Sequence, residues 1–183
     1  QVLNGEKILL AKLSQGLLGQ ENASLLGSVI VSQLHLAALG RQRLVKHERS
    51  PAFIYIDEFQ HFITPSMSAL LSEGRKFGVG LILAHQTLHQ IQGGNVESAV
   101  LGNTYARVVF RVSESDAAKL ATGFSFFEAR DLLALNRGQA IVRLGSAEQD
   151  CNVETLAPIS VDPTVALANV DTVLESSRLQ FGR

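Results

Sequence analysis

Short apolar runs that alternate with helical segments constrain the fold of this chain more than any other feature. The early runs are apolar nearly throughout, which is typical of strands buried in a parallel sheet. The alternation predicts a doubly wound α/β fold with a mostly parallel sheet and helices on both faces. The expected strands are 6–13, 52–57, 81–85, 105–112, 138–144 and 151–156.

The segments between these runs carry apolar residues at the spacing of amphipathic helices. Asn22 or Ser24 would supply the N-cap of the first helix, and Ser113 that of a later one with Asp116 in its first turn. The expected helices are 23–43, 65–77, 96–101, 113–121 and, more weakly, 163–180.

Length and composition limit the class of protein. A chain of 183 residues can bury one sizeable core, and a net charge of −1 gives no global attraction to nucleic acid. A single cysteine, Cys151, excludes an internal disulfide and fits a reducing compartment. Because no apolar run continues for about 18 residues, no membrane-spanning helix is expected.

Two adjacent acids, Asp57 and Glu58, directly follow the apolar run FIYI. In open α/β sheets, ligands bind beyond the carboxyl ends of the strands, where these acids are expected to lie. One acid can hold Mg²⁺ beside a triphosphate, and the second can orient and polarise the attacking water. The alternative is a strand that ends in two solvated acids with no catalytic role.

Gln86 follows the next apolar run, in LILAHQT, and is therefore expected at the same edge of the sheet as Asp57. A glutamine there can hydrogen-bond both a γ-phosphate and the nucleophilic water. The alternative is a polar residue at the start of a helix.

Several segments of the chain, including these residues, resemble a known family. The segments SQGLLGQENASLLGSVIVSQLHLAAL, FIYIDEFQHF, ALLSEGRKFGVGLILAHQTLHQI and NTYARVVFRVSESDAAKLA resemble the type IV coupling proteins of conjugation. They are equally similar to the wider HerA–FtsK class of DNA-pumping ATPases. The resemblance runs from about Lys7 to about Thr155, and its most specific parts are the acid pair and the spacing of GRKFG and HQT.

The resemblance implies a three-layer RecA-like P-loop NTPase core that uses ATP and Mg²⁺. Asp57 and Glu58 would be the Walker B acids, with Asp57 holding Mg²⁺ through water, and Gln86 would be the sensor of the nucleotide. Arg75 would be an arginine finger that reaches the nucleotide of a neighbouring subunit, because a planar guanidinium neutralises charge on the transferred phosphoryl group. The alternative for Arg75 is a solvated cation at a helix C-terminus.

The same resemblance implies partners and a location. The partners would be single- or double-stranded DNA in the pore of a ring, neighbouring subunits of a homohexamer, and relaxosome or secretion-channel proteins. The loop at 90–95 and the segment after Asp57 and Glu58 are the candidates for DNA contact, although neither carries a basic cluster. The expected location is cytoplasmic, which leaves open an inner-membrane anchor in a segment outside this chain.

The chain departs from the family pattern in one respect, since it contains no phosphate-binding loop of the form G-x-x-x-x-G-K-[ST]. We therefore expect residues 1–160 to be the C-terminal half of a RecA-like domain, followed by a tail at 161–183. Without the loop, this chain alone is expected to bind nucleotide weakly and not to hydrolyse ATP, although its parent would. The alternative is a non-catalytic docking or assembly module with vestigial acids.

Overall fold

The structure, a computed structural model, describes residues 2–4, 7–91, 95–146 and 148–182. It divides into two compact units, Gln1–Val153 and Glu154–Arg183. Within the described residues the α-helices are α1 Gln15–Leu18, α2 Gln20–Gly40, α3 Pro65–Glu73, α4 Asn95–Asn103, α5 Glu114–Ala121, α6 Ala129–Leu133 and α7 Pro163–Phe181. The strands are β1 Ala52–Ile56, β2 Val79–Leu83, β3 Ala106–Val109, β4 Gln139–Leu144 and β5 Asp150–Glu154.

The first sheet is a parallel pair, β1 and β2, as the sequence predicts. The register runs from Ala52 opposite Val79 to Ile56 opposite Leu83. One face of this pair is buried, but the other exposes aromatic and aliphatic side chains, among them Tyr55 at 74% exposure. Because parallel sheets are usually covered on both faces, this pair has the composition of a strand pair from the middle of a larger sheet.

The second sheet corrects the expected topology. β3 and β4 pair antiparallel, with Ala106 opposite Leu144, and β5 lies next to β4. The link between β4 and β5 is a tight turn in which Gly145 has φ +71 and the backbone N–H of Leu144 donates to Gln149. Such a short link joins antiparallel strands, whereas a parallel pair needs a long crossover. The α/β class is confirmed, but a mostly parallel sheet is wrong for these residues and the three-layer core is only partly present.

The expected strand at 6–13 is also wrong over its described part, residues 7–13. This segment has no regular secondary structure, and none of its described residues forms a ladder with a neighbouring strand. Ile8 is 89% exposed. A cavity of about 1170 Å³ lies between the segment, α2 and β1. An apolar run becomes a strand only where backbone partners exist, and none is in place here.

Helix α2 begins earlier than expected. Its N-cap is Gly19, not Asn22 or Ser24, and no side chain caps it. The side chain of Asn22 instead donates to the carbonyl of Leu18, in the preceding short helix. The buried positions of α2 form one stripe along the helix: Ala23, Gly27, Val31 and Ala38.

The segment Gln20–Arg43, which contains α2, is long and apolar enough to cross a membrane by length and composition alone. The segment meets this test without an uninterrupted apolar run because its polar residues are mostly uncharged Ser, Gln and Asn, and the expectation of no membrane-spanning helix stays a prediction. Core helices of soluble proteins meet the same test. In this structure, 22% of the most apolar 18-residue stretch of the segment is buried inside the protein.

Helices α3, α4, α5 and α7 lie close to their predicted positions, whereas the short helices α1 and α6 were not predicted. Thr64 caps α3 by accepting from the N–H of Met67, with Pro65 at the first helical position. Ser113 caps α5 by accepting from the N–H of Asp116, as predicted. In the second unit, Asp162 caps α7 by accepting from the N–H groups of Thr164 and Val165.

The core of the first unit lies between the helices and the inner faces of both sheets. Helix α2 packs on α3, α3 on α4, and α5 on α6. The largest fully buried apolar side chains are Phe59, Met67, Leu88, Leu132 and Ile141. Phe59 directly follows Asp57 and Glu58 in sequence and is completely buried, so it anchors the segment that carries the two acids.

Two helical glycines provide a matched test of this packing. A Cβ at Gly27 would collide with the ring of Phe62, whereas a Cβ at Gly102 would meet nothing within 4 Å. Gly27→Ala should lower the free energy of unfolding by about 1–3 kcal/mol through overpacking. Gly102→Ala should be neutral or should raise it by up to about 1 kcal/mol through helix propensity. Urea unfolding measures both, and equal effects would contradict this packing.

Candidate functional site

The carboxyl ends of β1 and β2 bring Asp57, Glu58 and Gln86 to one edge of the sheet. The N–H of Ala84 donates to Ile56 and the carbonyl of Ala84 accepts from Phe59, at 3.0 and 3.1 Å. Two residues, Asp57 and Glu58, thus fit where a regular ladder would place one. This pattern is that of a bulge, a device that re-aims side chains beside functional sites.

Glu58 has the backbone conformation that a bulge requires. Its φ of 49° and ψ of 45° are left-handed, and among the described residues no other non-glycine has positive φ. A non-glycine residue in this region carries strain of order 1 kcal/mol, which persists only where surrounding contacts impose it. Here the buried ring of Phe59 and the two ladder bonds impose it.

The carboxylate of Glu58 accepts two side-chain amide hydrogen bonds. Oε1 accepts from Nε2 of Gln86 at 2.6 Å, and Oε2 accepts from Nε2 of Gln60 at 2.5 Å. The bond to Gln86 joins the ends of β1 and β2 through their side chains. The predicted proximity of the acid pair and Gln86 is therefore present in the structure.

These bonds stabilise the ionised carboxylate. The amide of Gln60 and then that of Gln86 hold the pKa of Glu58 below its ordinary value; desolvation opposes them, and the charges of His61 and His85 lower the pKa by smaller amounts. Glu58 is thus ionised at neutral pH. It is suited to orient and polarise a water molecule, whereas an acid with a raised pKa would be suited to donate a proton.

Asp57 is exposed, and one of its oxygens is already engaged. Oδ1 accepts from the N–H of Glu58 at 3.0 Å, and within the described ranges Oδ2 has no hydrogen-bond partner. Mg²⁺ is commonly held by one or two carboxylates together with waters and substrate phosphates. A single free carboxylate oxygen beside the site of a triphosphate fits that role.

The backbone on either side of Gln86 is fixed by contacts with buried groups. The ring of His85 packs edge-on against Phe59, with centroids 5.3 Å apart. The buried carboxylate of Asp116 accepts from the N–H of Leu88 at 3.1 Å. Gln86 is therefore an exposed side chain on a held backbone.

Arg75 lies at the opposite end of the strands. It is exposed in the 3₁₀ turn Gly74–Phe77, which directly precedes β2. Five residues of β2 separate that turn from the carboxyl edge, a distance of about 16 Å at about 3.3 Å per residue. The structure does not bring Arg75 to the acids of its own chain.

Sequence reasoning missed Gln60 as the second donor to Glu58. The only signal was its position two residues after the acid, which places it in the 3₁₀ turn Phe59–Phe62. Of the candidate DNA-contact loop at 90–95, residues 92–94 lie outside the described residues.

The amide bonds to Glu58 can be tested by titration. Gln60→Leu and Gln86→Leu should each raise the pKa of Glu58 towards its ordinary value, because each removes a donor to the ionised form. Carbon-13 NMR of the side-chain carboxyl measures this, with the exposed Gln42→Leu as the matched control. In the native chain the stabilisation by Glu58 should be present above the ordinary glutamate pKa and disappear as pH falls through the folded value. An unchanged pKa in both variants would contradict the geometry.

Comparison with known proteins identifies relatives of the chain. A family model described as the TraM recognition site of TraD and TraG matches residues 51–122. The matched segment contains β1, β2 and all four predicted site residues. No curated protein sequence matches the chain significantly.

Solved structures give the same fold. The bacterial conjugative coupling protein TrwBdeltaN70 superposes with a TM-score of 0.62 at 13% identity, over 76% of this chain and 39% of that chain. TrwB in complex with ADP and Mg²⁺ gives a TM-score of 0.59 at 13% identity, over 74% of this chain and 39% of that one. The genome packaging NTPase B204 of Sulfolobus turreted icosahedral virus 2, in complex with AMPPCP, gives 0.56 at 14% identity, over 72% and 63%.

The chain thus spans about two-fifths of the length of the coupling-protein structures that it matches. At these identities the superpositions establish a shared fold, and both matched proteins were solved with nucleotides or nucleotide analogues bound. Together with the family model, they confirm that this chain is similar to the conjugative coupling proteins and to packaging NTPases with the same fold.

Proposed function

We propose that this chain is the C-terminal half of a RecA-like motor domain in a conjugative coupling protein, which hydrolyses ATP to move DNA through a homohexameric ring. The observation that carries the proposal is the hydrogen bond between Glu58 and Gln86 beside Asp57, at the carboxyl edge of a parallel strand pair. An acid pair and a glutamine at this edge are the parts that phosphoryl transfer to water needs.

Each residue has a distinct task in this proposal. Glu58, ionised and held by amides, orients the attacking water and polarises it. Gln86 exchanges its bond to Glu58 for bonds to the γ-phosphate and the water. The side-chain link between the ends of β1 and β2 therefore responds to the nucleotide. Asp57 would hold Mg²⁺ through a water molecule bound to its free oxygen. When bound, the ion neutralises charge on the phosphates.

Arg75 completes the site from another subunit. Its distance from the acids of its own chain leaves it unable to serve them, while its exposure at the far end of β2 leaves it free for a neighbour. A finger supplied in trans makes hydrolysis depend on assembly, and such arginines contribute about 10³–10⁵-fold to the rate.

Because this chain contains no phosphate-binding loop, the proposal needs another part of the protein to bind the phosphates. In this proposal, a preceding part of the parent protein would supply the residues that cradle the β- and γ-phosphates and any anchor to the inner membrane. The working location is the cytoplasm, where ATP is supplied and where a lone exposed thiol such as Cys151 stays reduced.

A docking function is the second candidate, and a specific observation favours it. The matched family model is described as a recognition site for TraM. The matched residues 51–122 would then be a contact for a relaxosome protein. A docking module needs neither a phosphate loop nor the Glu58–Gln86 bond. A phosphate loop upstream in the full-length protein would favour the motor.

The experiment measures ATP hydrolysis by the full-length protein with and without DNA. Glu58→Gln should lower kcat by about a hundredfold or more, since the water loses its orienting carboxylate. Arg75→Ala should lower it by about a thousandfold or more. The matched control is Lys76→Ala, which removes the neighbouring exposed charge and should change kcat less than twofold.

Mixed rings test whether Arg75 acts in trans. Glu58→Gln subunits keep the finger and Arg75→Ala subunits keep the acid, so some interfaces in a mixture pair an intact acid with an intact finger. Partial recovery of hydrolysis on mixing is expected. Full activity of both single variants, or no hydrolysis by the native protein, would leave the docking function as the better account.

A further inference from the structure

Two arginines hold three successive backbone carbonyls that directly follow Arg75. Nη1 of Arg41 donates to the carbonyls of Phe77 and Gly78 at 2.9 and 3.2 Å. Nη1 of Arg49 donates to the carbonyl of Lys76 at 2.5 Å. We call Arg41 and Arg49 the arginine clamp.

Arg41 is an unusual core residue, since it is only 1% exposed. Its remaining donors go to the carbonyl of Leu3 at 2.9 Å, to Oδ1 of Asn4 at 2.8 Å and to the carbonyl of Ser50. No carboxylate in the described part of the chain lies within ion-pair distance of it. A buried charge is tolerated only when its hydrogen-bonding capacity is met. The five acceptors meet it and fix the guanidinium in place.

Arg49 anchors itself from a second direction. Its Nε and Nη2 donate to the carbonyl of Leu44 at 3.0 and 2.8 Å, which leaves Nη1 for Lys76. Desolvation lowers the pKa of Arg41, and the nearby charge of Arg49 lowers it further. The two positive charges are stabilised by the neighbouring carbonyls of Lys76, Phe77 and Gly78, which accept hydrogen bonds from them.

The turn that the clamp holds presents a single face to solvent. Gly74 and Phe77 are buried, while Arg75 and Lys76 are exposed. Gly78 ends the turn in the left-handed region, at φ +70, where an added Cβ would lie 3.5 Å from atoms of both clamp arginines. The backbone under Arg75 is therefore fixed on one side by burial and on the other by the clamp.

We propose that Arg41 and Arg49 are positioning residues for Arg75, which set the place and direction of its guanidinium for the neighbouring subunit's nucleotide. This inference rests on the proposed function of Arg75. A reacting geometry that is wrong by 1 Å can cost about a hundredfold in rate. A long side chain on a mobile turn would not keep such a geometry, whereas one on a clamped turn does.

The test is a double-mutant cycle of ATP hydrolysis in the full-length protein. Arg49 is the better target because it is partly exposed, so its loss spares the core that Arg41 supports. Arg49→Ala should lower kcat by about tenfold to a hundredfold, with KM changed less than twofold. In the Arg75→Ala background the same change should cost less than twofold, because Arg49 acts only through Arg75. Arg49→Lys, which keeps a charged donor, should recover part of kcat.

The control is Arg43→Ala, an exposed arginine two residues beyond Arg41 that holds no carbonyl among the described residues. It should change kcat less than twofold in either background. An equal loss from Arg49→Ala in both backgrounds would show a merely structural role and overturn the inference, as would an unchanged kcat. A native rate for Arg75→Ala alone would instead overturn the proposed role of Arg75, and the inference with it.

Discussion

The parallel pairing of β1 and β2 is the constraint on which the rest of the site depends. Its register places Asp57 and Glu58 beside Gln86 at the carboxyl edge and Arg75 at the amino edge. In the proposed function, one strand pair would thus separate the groups that act on a subunit's own nucleotide from the group that serves a neighbour. A change in ladder register would shift Asp57 and Glu58 relative to Gln86 and Arg75, so the spacing of these groups depends on this one pairing.

Strain at Glu58 is the local consequence of that pairing. The ladder resumes at Phe59 with one extra residue, which forces a left-handed backbone at the acid and turns its carboxylate towards two amides. Those amides stabilise a charge that would otherwise face solvent alone. Because one amide belongs to Gln86, a ligand that recruits this glutamine also changes the environment of Glu58. Glu58 and Gln86 are thereby coupled through one hydrogen bond.

Local patterns predicted the parts of the fold that depend on local physics. Three features could be inferred: the strands β1 and β2, the cap at Ser113 and the pairing of the acid with the glutamine. Each depends on residues that lie within a few positions of one another or of a strand end. The failures depend on distant partners. Residues 7–13 have no strand partner among the described residues, β3 pairs antiparallel with β4 across a long connection, and Arg41 binds carbonyls more than thirty residues away. No spacing rule marks a buried arginine whose acceptors are backbone atoms.

The central claim is that one subunit's acids and its neighbour's Arg75 meet at a single nucleotide. The most direct measurement is a cryo-electron microscopy structure of the full-length protein with Mg²⁺ and a non-hydrolysable ATP analogue. The account predicts the γ-phosphate beside Glu58 and Gln86 of one subunit, and within about 3 Å of the guanidinium of Arg75 from the next. A nucleotide bound elsewhere, or Arg75 more than about 10 Å from every γ-phosphate, would contradict it.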